Sequence, residues 1–189
     1  MTDDLFDIRG KLALVTGANR GIGLALAKGL AARGVDIISA SASMPDGGGD
    51  AGDAVRAYGR TFDAHRVDFA RPEDVIAFGE RIANADRPVD ILVNNAGTIV
   101  RYPTVDHPFD EWQRVIDINL TSQFVLTQAI GRRMLDRGTG KVIFTTSLRV
   151  FQGGTGVASY TAPKSALAGI VRTLSNEWAE HGVSVNAIA

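Results

Sequence analysis

Tyr160 and Lys164 stand four residues apart in the run YTAPK. On a helix that spacing puts the phenol and the ammonium on one face, one turn from each other. Such a pair is either an ordinary surface contact or a phenol working as acid and base beside a cation that favours its anion. These five residues leave both readings open. A second stretch, TGANRGIG from Thr16 to Gly23, suits an anion. Its glycines would allow in turn a tight bend at Gly17, a close approach of backbone to ligand at Gly21, and close packing of helix on strand at Gly23. A helix starting near Gly21 offers unpaired N–H groups and a positive dipole end to a pyrophosphate. Gly17, Asn19, Arg20, Gly21, Ile22 and Gly23 therefore form a candidate phosphate site.

The elements that must position these residues are visible as an alternation. Short apolar runs rich in β-branched residues recur at 12–16, 35–40, 89–93, 141–146 and 183–188, with a weaker one around 64–67. They read as buried strands covered on both faces. Stretches with helical spacing lie between them at 21–34, 72–85, 110–135 and 165–182. Such alternation predicts βαβ units in a Rossmann-like, doubly wound parallel sheet, a three-layer α/β/α arrangement. One domain spanning 1–189, binding a dinucleotide and carrying the catalytic residues, is the expectation. Two stretches look irregular: the glycine-rich 43–53, expected to be a mobile loop, and 98–109, a loop before a long helix.

In dinucleotide folds a carboxylate near the end of the second strand usually holds the adenosine ribose. Here that stretch reads Ser39, Ala40, Ser41, Ala42, Ser43, without an acid. Arg20 is the nearest cation for a 2′-phosphate and serines such as Ser41 can donate hydrogen bonds to one, which leans the choice between NAD(H) and NADP(H) towards NADP(H). Asp46 or Asp50 folding back would reverse that lean. Asp68, followed by Phe69 after the third strand, could accept a hydrogen bond from the adenine amino group or cap the helix after Pro72.

The glycine turn, NNAG at Asn94–Gly97, Asn119, Ser147 and YTAPK occur in register with the strands and helices. In that order they resemble the short-chain dehydrogenase/reductase family over essentially the whole chain. Within it, NNAGTIVR, EWQRVIDINLTSQF, SLRVFQGG and NEWAEHGVSVNAIA are most similar to sugar-acid dehydrogenases of the 2-deoxy-D-gluconate 3-dehydrogenase and gluconate 5-dehydrogenase type. The resemblance implies a catalytic set of Asn119, Ser147, Tyr160 and Lys164. Asn95, Ala96 and Gly97 would lie beneath the cofactor, with Asn94 as support or as a tie between strands. The chemistry agrees. Ketone reduction needs a proton delivered to a developing alkoxide, and the reverse reaction needs one removed. A free phenol ionises near pH 10, so a Tyr160 base needs the Lys164 ammonium to stabilise its anion. The family also implies that Lys164 binds the nicotinamide ribose, that Ser147 holds the substrate oxygen, and that Asn119 fixes a water for proton relay. Arg149, Phe151 and Gln152 after Ser147, and Arg101 after NNAG, are candidates for contact with the substrate, an arginine matching a carboxylate in bidentate fashion. Pro163 fits only the first turn of its helix, which makes Ser159 the expected cap.

Composition excludes other classes. Twenty basic and twenty-one acidic side chains give a net charge of −1, which offers no field for nucleic acid or an anionic membrane. With no cysteine and three scattered histidines, a metal site is not expected. No apolar run has the length of a membrane span or signal peptide, so the cytoplasm is expected. The last apolar run stops at Ala189, where the family continues with a segment that closes over the substrate, so the C-terminal part is expected to be missing. The helices around 110–135 and 159–181 are expected to form a homo-oligomer, a dimer or tetramer. An oxidoreductase acting on a sugar or keto-deoxy-sugar acid leads; a 3-oxoacyl thioester reductase and a non-catalytic dinucleotide-binding protein are the alternatives.

Overall fold

The computed structural model describes residues 6–189. Six strands form one parallel sheet: β1 (Leu12–Thr16), β2 (Asp36–Ser41), β3 (Phe62–Arg66), β4 (Ile91–Asn94), β5 (Gly140–Thr145) and β6 (Val183–Ile188), in the order β3-β2-β1-β4-β5-β6. β1, β2 and β4 are buried along their whole length, as strands covered on both faces require. The edge strands β3 and β6 carry most of the exposed positions, and Lys141 on β5 adds one more.

Alternation along β1 divides the core. Leu12 and Leu14 face a cluster with Phe78, Leu126, Ile130, Met134, Phe144 and Trp178, while Ala13 and Val15 face one with Ala27, Ala31, Val55 and Phe62. Helices α1 (Gly21–Ala31) and α2 (Gly49–Arg56) cover the second face. Helices α3 (Pro72–Ala83), α5 (Ser122–Arg137) and α7 (Ala158–Trp178) cover the first. The predicted three-layer, doubly wound architecture is what the chain adopts. Its winding reverses between β1 and β4, and in such sheets ligands bind beyond the carboxyl ends of the strands at that point.

One local expectation is corrected and one refined. The stretch 43–53 is not a loop: after a tight turn at Asp46–Gly48 it becomes the start of α2. Ala51 and Val55 bury against the α1 face, and Gly48, at φ +88°, sits where a Cβ would overlap the Phe62 ring. Its glycines permit the turn and the contact, and tertiary burial then holds a short helix that propensity alone would not. The helix expected over 110–135 is α4 (Phe109–Ile116) running into α5 through a single π turn, Asp117–Thr121, which contains Asn119. A π turn within a helix commonly marks a functional position.

Candidate active site

The carboxyl edge of the sheet carries two clefts that share Ile22, Asn95, Gly97 and Thr98, so they form one trough. The first, about 400 Å³, is walled by the glycine turn and α1 on one side and by Ser41, Asp68, Phe69, Asn95, Ala96 and Gly97 on the other. Gly17 donates its N–H to the Ala40 carbonyl at 2.8 Å, extending the β1–β2 ladder into the glycine turn. Gly21 has φ +55° and open space where a side chain would stand. At Gly23 a Cβ would overlap the Gly17 carbonyl and the Asn95 amide, so this glycine lets α1 pack onto its own preceding turn and the β4 loop. No side chain caps α1 and no acid lies in its first turn, which leaves its leading N–H groups for an anion.

Several polar groups hold this wall. Thr16 Oγ1 accepts the N–H groups of Asn95 and Ala96, both at 2.9 Å, and Asn95 Nδ2 donates to the Thr16 carbonyl at 3.0 Å. Gln123 Nε2, buried on α5, donates to the Ala96 carbonyl at 2.7 Å. Ser122 Oγ fixes the Phe69 carbonyl at 2.8 Å. Asn94 ties β4 not to a neighbouring strand but to α5, donating to Thr127 Oγ1 at 2.8 Å. Asp68 does not cap α3, whose flanking residue is Arg71; its Oδ1 accepts the Ala70 N–H at 2.9 Å.

The groups present fit a dinucleotide. At the β2 end, Ser41 Oγ is buried without a hydrogen-bond partner, and Asn19 Nδ2 donates to Ser43 Oγ at 2.9 Å. Asp46 is exposed and faces Arg66 at 3.8 Å, and Asp50 is exposed on α2, so neither folds back onto this wall. Arg20 lines the cleft with an exposed side chain.

The second cleft, about 610 Å³, brings Tyr160, Lys164, Ser147, Arg149 and Gln152 together with Thr145 and Ile99. Lys164 is buried; its Nζ donates to the Thr145 carbonyl at 2.6 Å and lies 5.9 Å from the centre of the Tyr160 ring. Burial lowers its pKa to about 8, which still leaves a cation at neutral pH. Ser147 Oγ accepts the Arg149 N–H at 3.2 Å at the start of the short helix α6 (Arg149–Gln152), so its own proton stays free for a ligand. Asn119 is buried beside this cleft, and its amide is engaged at both ends by Thr98, Oδ1 accepting the N–H and Nδ2 donating to the carbonyl, each at 2.8 Å.

Phe151 and Arg101 stand outside this lining, and Arg149 within it is already engaged. The Arg149 guanidinium turns back to the Gly153 carbonyl at 3.0 Å, Phe151 is exposed, and Arg101 is exposed and outside the lining of the cleft. Ser159 is not the cap of α7. The helix begins at Ala158 after Val157, Ser159 Oγ bonds His107, and Pro163 falls in the second turn. Among the described residues no group of side chains could hold a metal ion and no helix is long and apolar enough to cross a membrane.

A family model described as short chain dehydrogenase matches residues 11–189. The chain belongs to that family. This dehydrogenase is 51% identical over 185 residues to the 2-dehydro-3-deoxy-D-gluconate 5-dehydrogenase of Pseudoalteromonas atlantica, covering 97% of the chain and 72% of the relative. It is 45% identical over 186 residues to that of Bacillus subtilis, covering 98% and 72%. Among solved structures, a gluconate 5-dehydrogenase from Burkholderia cenocepacia in complex with NADP and tartrate superposes with a TM-score of 0.86 at 32% identity, covering 96% of this chain and 71% of that one. The relatives named here are dehydrogenases of gluconate-type acids, and the chain shares their family.

Proposed function

We propose that this dehydrogenase interconverts a secondary alcohol and a ketone on a sugar acid of the gluconate or keto-deoxy-gluconate type, with Tyr160 as acid and base. The observation that carries the reading is the joining of two clefts: the one holding Tyr160, Lys164 and Ser147 shares Asn95 and Gly97 with the one built on the glycine turn. The glycine turn and α1 would hold the phosphates of a dinucleotide and the Asn95–Gly97 turn its nicotinamide half, which would supply or accept the hydride. In reduction Tyr160 gives its phenolic proton to the substrate oxygen; in oxidation it removes the hydroxyl proton. Lys164 stabilises the phenolate that results, and it keeps two ammonium protons beyond the one given to Thr145. Ser147 donates to the substrate oxygen and holds the carbonyl for attack. Asn119 fixes Thr98 and, through the lone pair and proton that Thr98 leaves, orders the relay to Lys164.

NADP(H) is the preferred coenzyme in this reading, supported by the partnerless Ser41 hydroxyl, the absence of a carboxylate on the β2 end, and Arg20 beside it. The NADP and tartrate held by the Burkholderia relative support both the coenzyme and an acidic, hydroxylated substrate. Gln152 and Arg149 flank the substrate position, Arg149 after release from Gly153. One catalytic domain, self-association through α5 and α7 into a dimer or tetramer, and a place in the cytoplasm belong to the same proposal. A steady-state panel of gluconate-like acids, neutral polyols and acyl thioesters with each coenzyme tests it. The acids are expected to give the highest kcat/KM, and faster turnover of acyl thioesters would overturn the substrate assignment.

A further inference from the structure

The loop of residues 98–108 meets α7 at a buried point that the mechanism above does not use. His107 Nε2 lies 2.8 Å from Ser159 Oγ, and His107 Nδ1 lies 3.0 Å from the Pro108 carbonyl. A carbonyl only accepts, so Nδ1 is the donor there; Nε2 of the neutral ring then accepts the proton of the Ser159 hydroxyl. The imidazole is braced by Tyr102 at 5.1 Å between ring centres and by Trp112, nearly perpendicular to it, at 6.1 Å. Ser159 is wholly buried. A second tie runs alongside, the Tyr102 N–H donating to the Gly156 carbonyl at 3.0 Å just before the helix begins.

Ser159 immediately precedes Tyr160, and this is where α7 is weakest. Pro163 has no N–H for the Ser159 carbonyl four residues earlier, so a rung between the first and second turns is missing. The Tyr160 and Thr161 N–H groups both go to the Val157 carbonyl, the ordinary bonds of the helix start, and neither replaces the missing rung. The turn that carries the phenol therefore lacks part of the restraint a helix gives itself, while the partner of that phenol, Lys164, sits beyond the missing rung. A bond from outside the helix, on the residue next to Tyr160, restores the restraint.

We propose that His107 is a positioning residue for Tyr160: through Ser159 it holds the first turn of α7 in the register that sets the phenol against Lys164, and it makes the loop of residues 98–108 part of the catalytic geometry. The proposal rests on Tyr160 being the acid and base. The test uses H107F, which keeps a ring against Tyr102 and Trp112 but removes the acceptor, S159A, which removes the donor, and H107Q, which returns an acceptor. H107F and S159A are each expected to lower kcat about tenfold while the coenzyme KM stays within about twofold, and the double variant to lose no more than either single one. H107Q recovers most of the rate. The pH at which the oxidation rate reaches half its plateau is expected to rise by about half a unit in H107F, because a displaced ammonium stabilises the phenolate less. Rates within about twofold of the parent in both single variants overturn the proposal. So does a loss of rate that only follows a loss of folded protein, with no change in the pH profile and no rescue by glutamine. If the parent turns over no substrate of the panel, the functional reading fails first; the phenolate absorbance of Tyr160, taken as the difference between a background and its Tyr160→Phe form, then decides. A rise in its titration in H107F supports the positioning role, and an unchanged titration overturns it.

Discussion

Lys164 is in a poor place for a cation and, in the proposed mechanism, a good one for a catalyst. It is 3% exposed and its recorded partner is a neutral carbonyl, so burial disfavours its charge and brings its pKa down to about 8. Its folded value lies below its unfolded value, so at neutral pH the fold bears the full cost of keeping the proton. Between about pH 8 and pH 10.5 the unfolded chain binds a proton that the folded chain lacks, and stability rises with pH through that window. Lys164→Met is therefore expected to inactivate the enzyme yet stabilise it by about 1–3 kcal/mol near pH 7, with the gap to the parent closing by about pH 10. Urea denaturation of both proteins at the two pH values checks this, and a variant less stable than the parent near neutrality would contradict it. Tyr160 and Lys164 were legible in the sequence because their relation is local, four positions on one helix. Thr16 with Ala96, Gln123 with Ala96 and His107 with Ser159 were not, since these bonds join residues 80, 27 and 52 positions apart and each residue alone is an ordinary polar side chain. A glutamine or threonine on an otherwise apolar face was the one signal available for the first two.

At the scale of elements, alternation of strand and helix was readable because buried parallel strands are apolar along their length and the helices between them repeat at their own period. What escaped depended on packing. Glycines 47–49 read as a loop, yet they deliver α2 onto Phe62 and α1. The π turn over Asp117–Thr121 has no mark in the sequence distinct from an α-helix, although it carries Asn119 to Thr98. The join between the glycine turn and α1 gives the sharpest prediction at this level. A Cβ on Gly23 meets backbone at Gly17 and the amide of Asn95, neither of which is a flexible side-chain end free to swing aside. Gly23→Ala is expected to weaken NADP(H) binding about tenfold and to destabilise the fold by about 1–3 kcal/mol. Fluorescence titration with the reduced coenzyme and a denaturation midpoint measure both, and unchanged values would show that the turn has slack the structure denies.

The molecule as a whole works because of one topological fact, the adjacency of β1 and β4. It brings the glycine turn after β1 beside the Asn95–Gly97 turn after β4, and the pairing of β4 with β5 adds Thr145 and Ser147 to the same edge. Residues separated by more than a hundred positions thereby line one trough, with the uncapped N–H groups of α1 at one end and a phenol beside an ammonium at the other. The balanced charge of −1 leaves recognition to that trough rather than to a long-range field. In the proposed mechanism its two ends do separate jobs, and Tyr160→Phe tests that division. Steady-state turnover of a gluconate-like acid, measured together with the dissociation constant for NADP(H), should show kcat reduced by about 10²-fold or more with coenzyme affinity within about twofold of the parent. Turnover within about tenfold of the parent would mean that the proton moves by another route and that this phenol is not the acid and base.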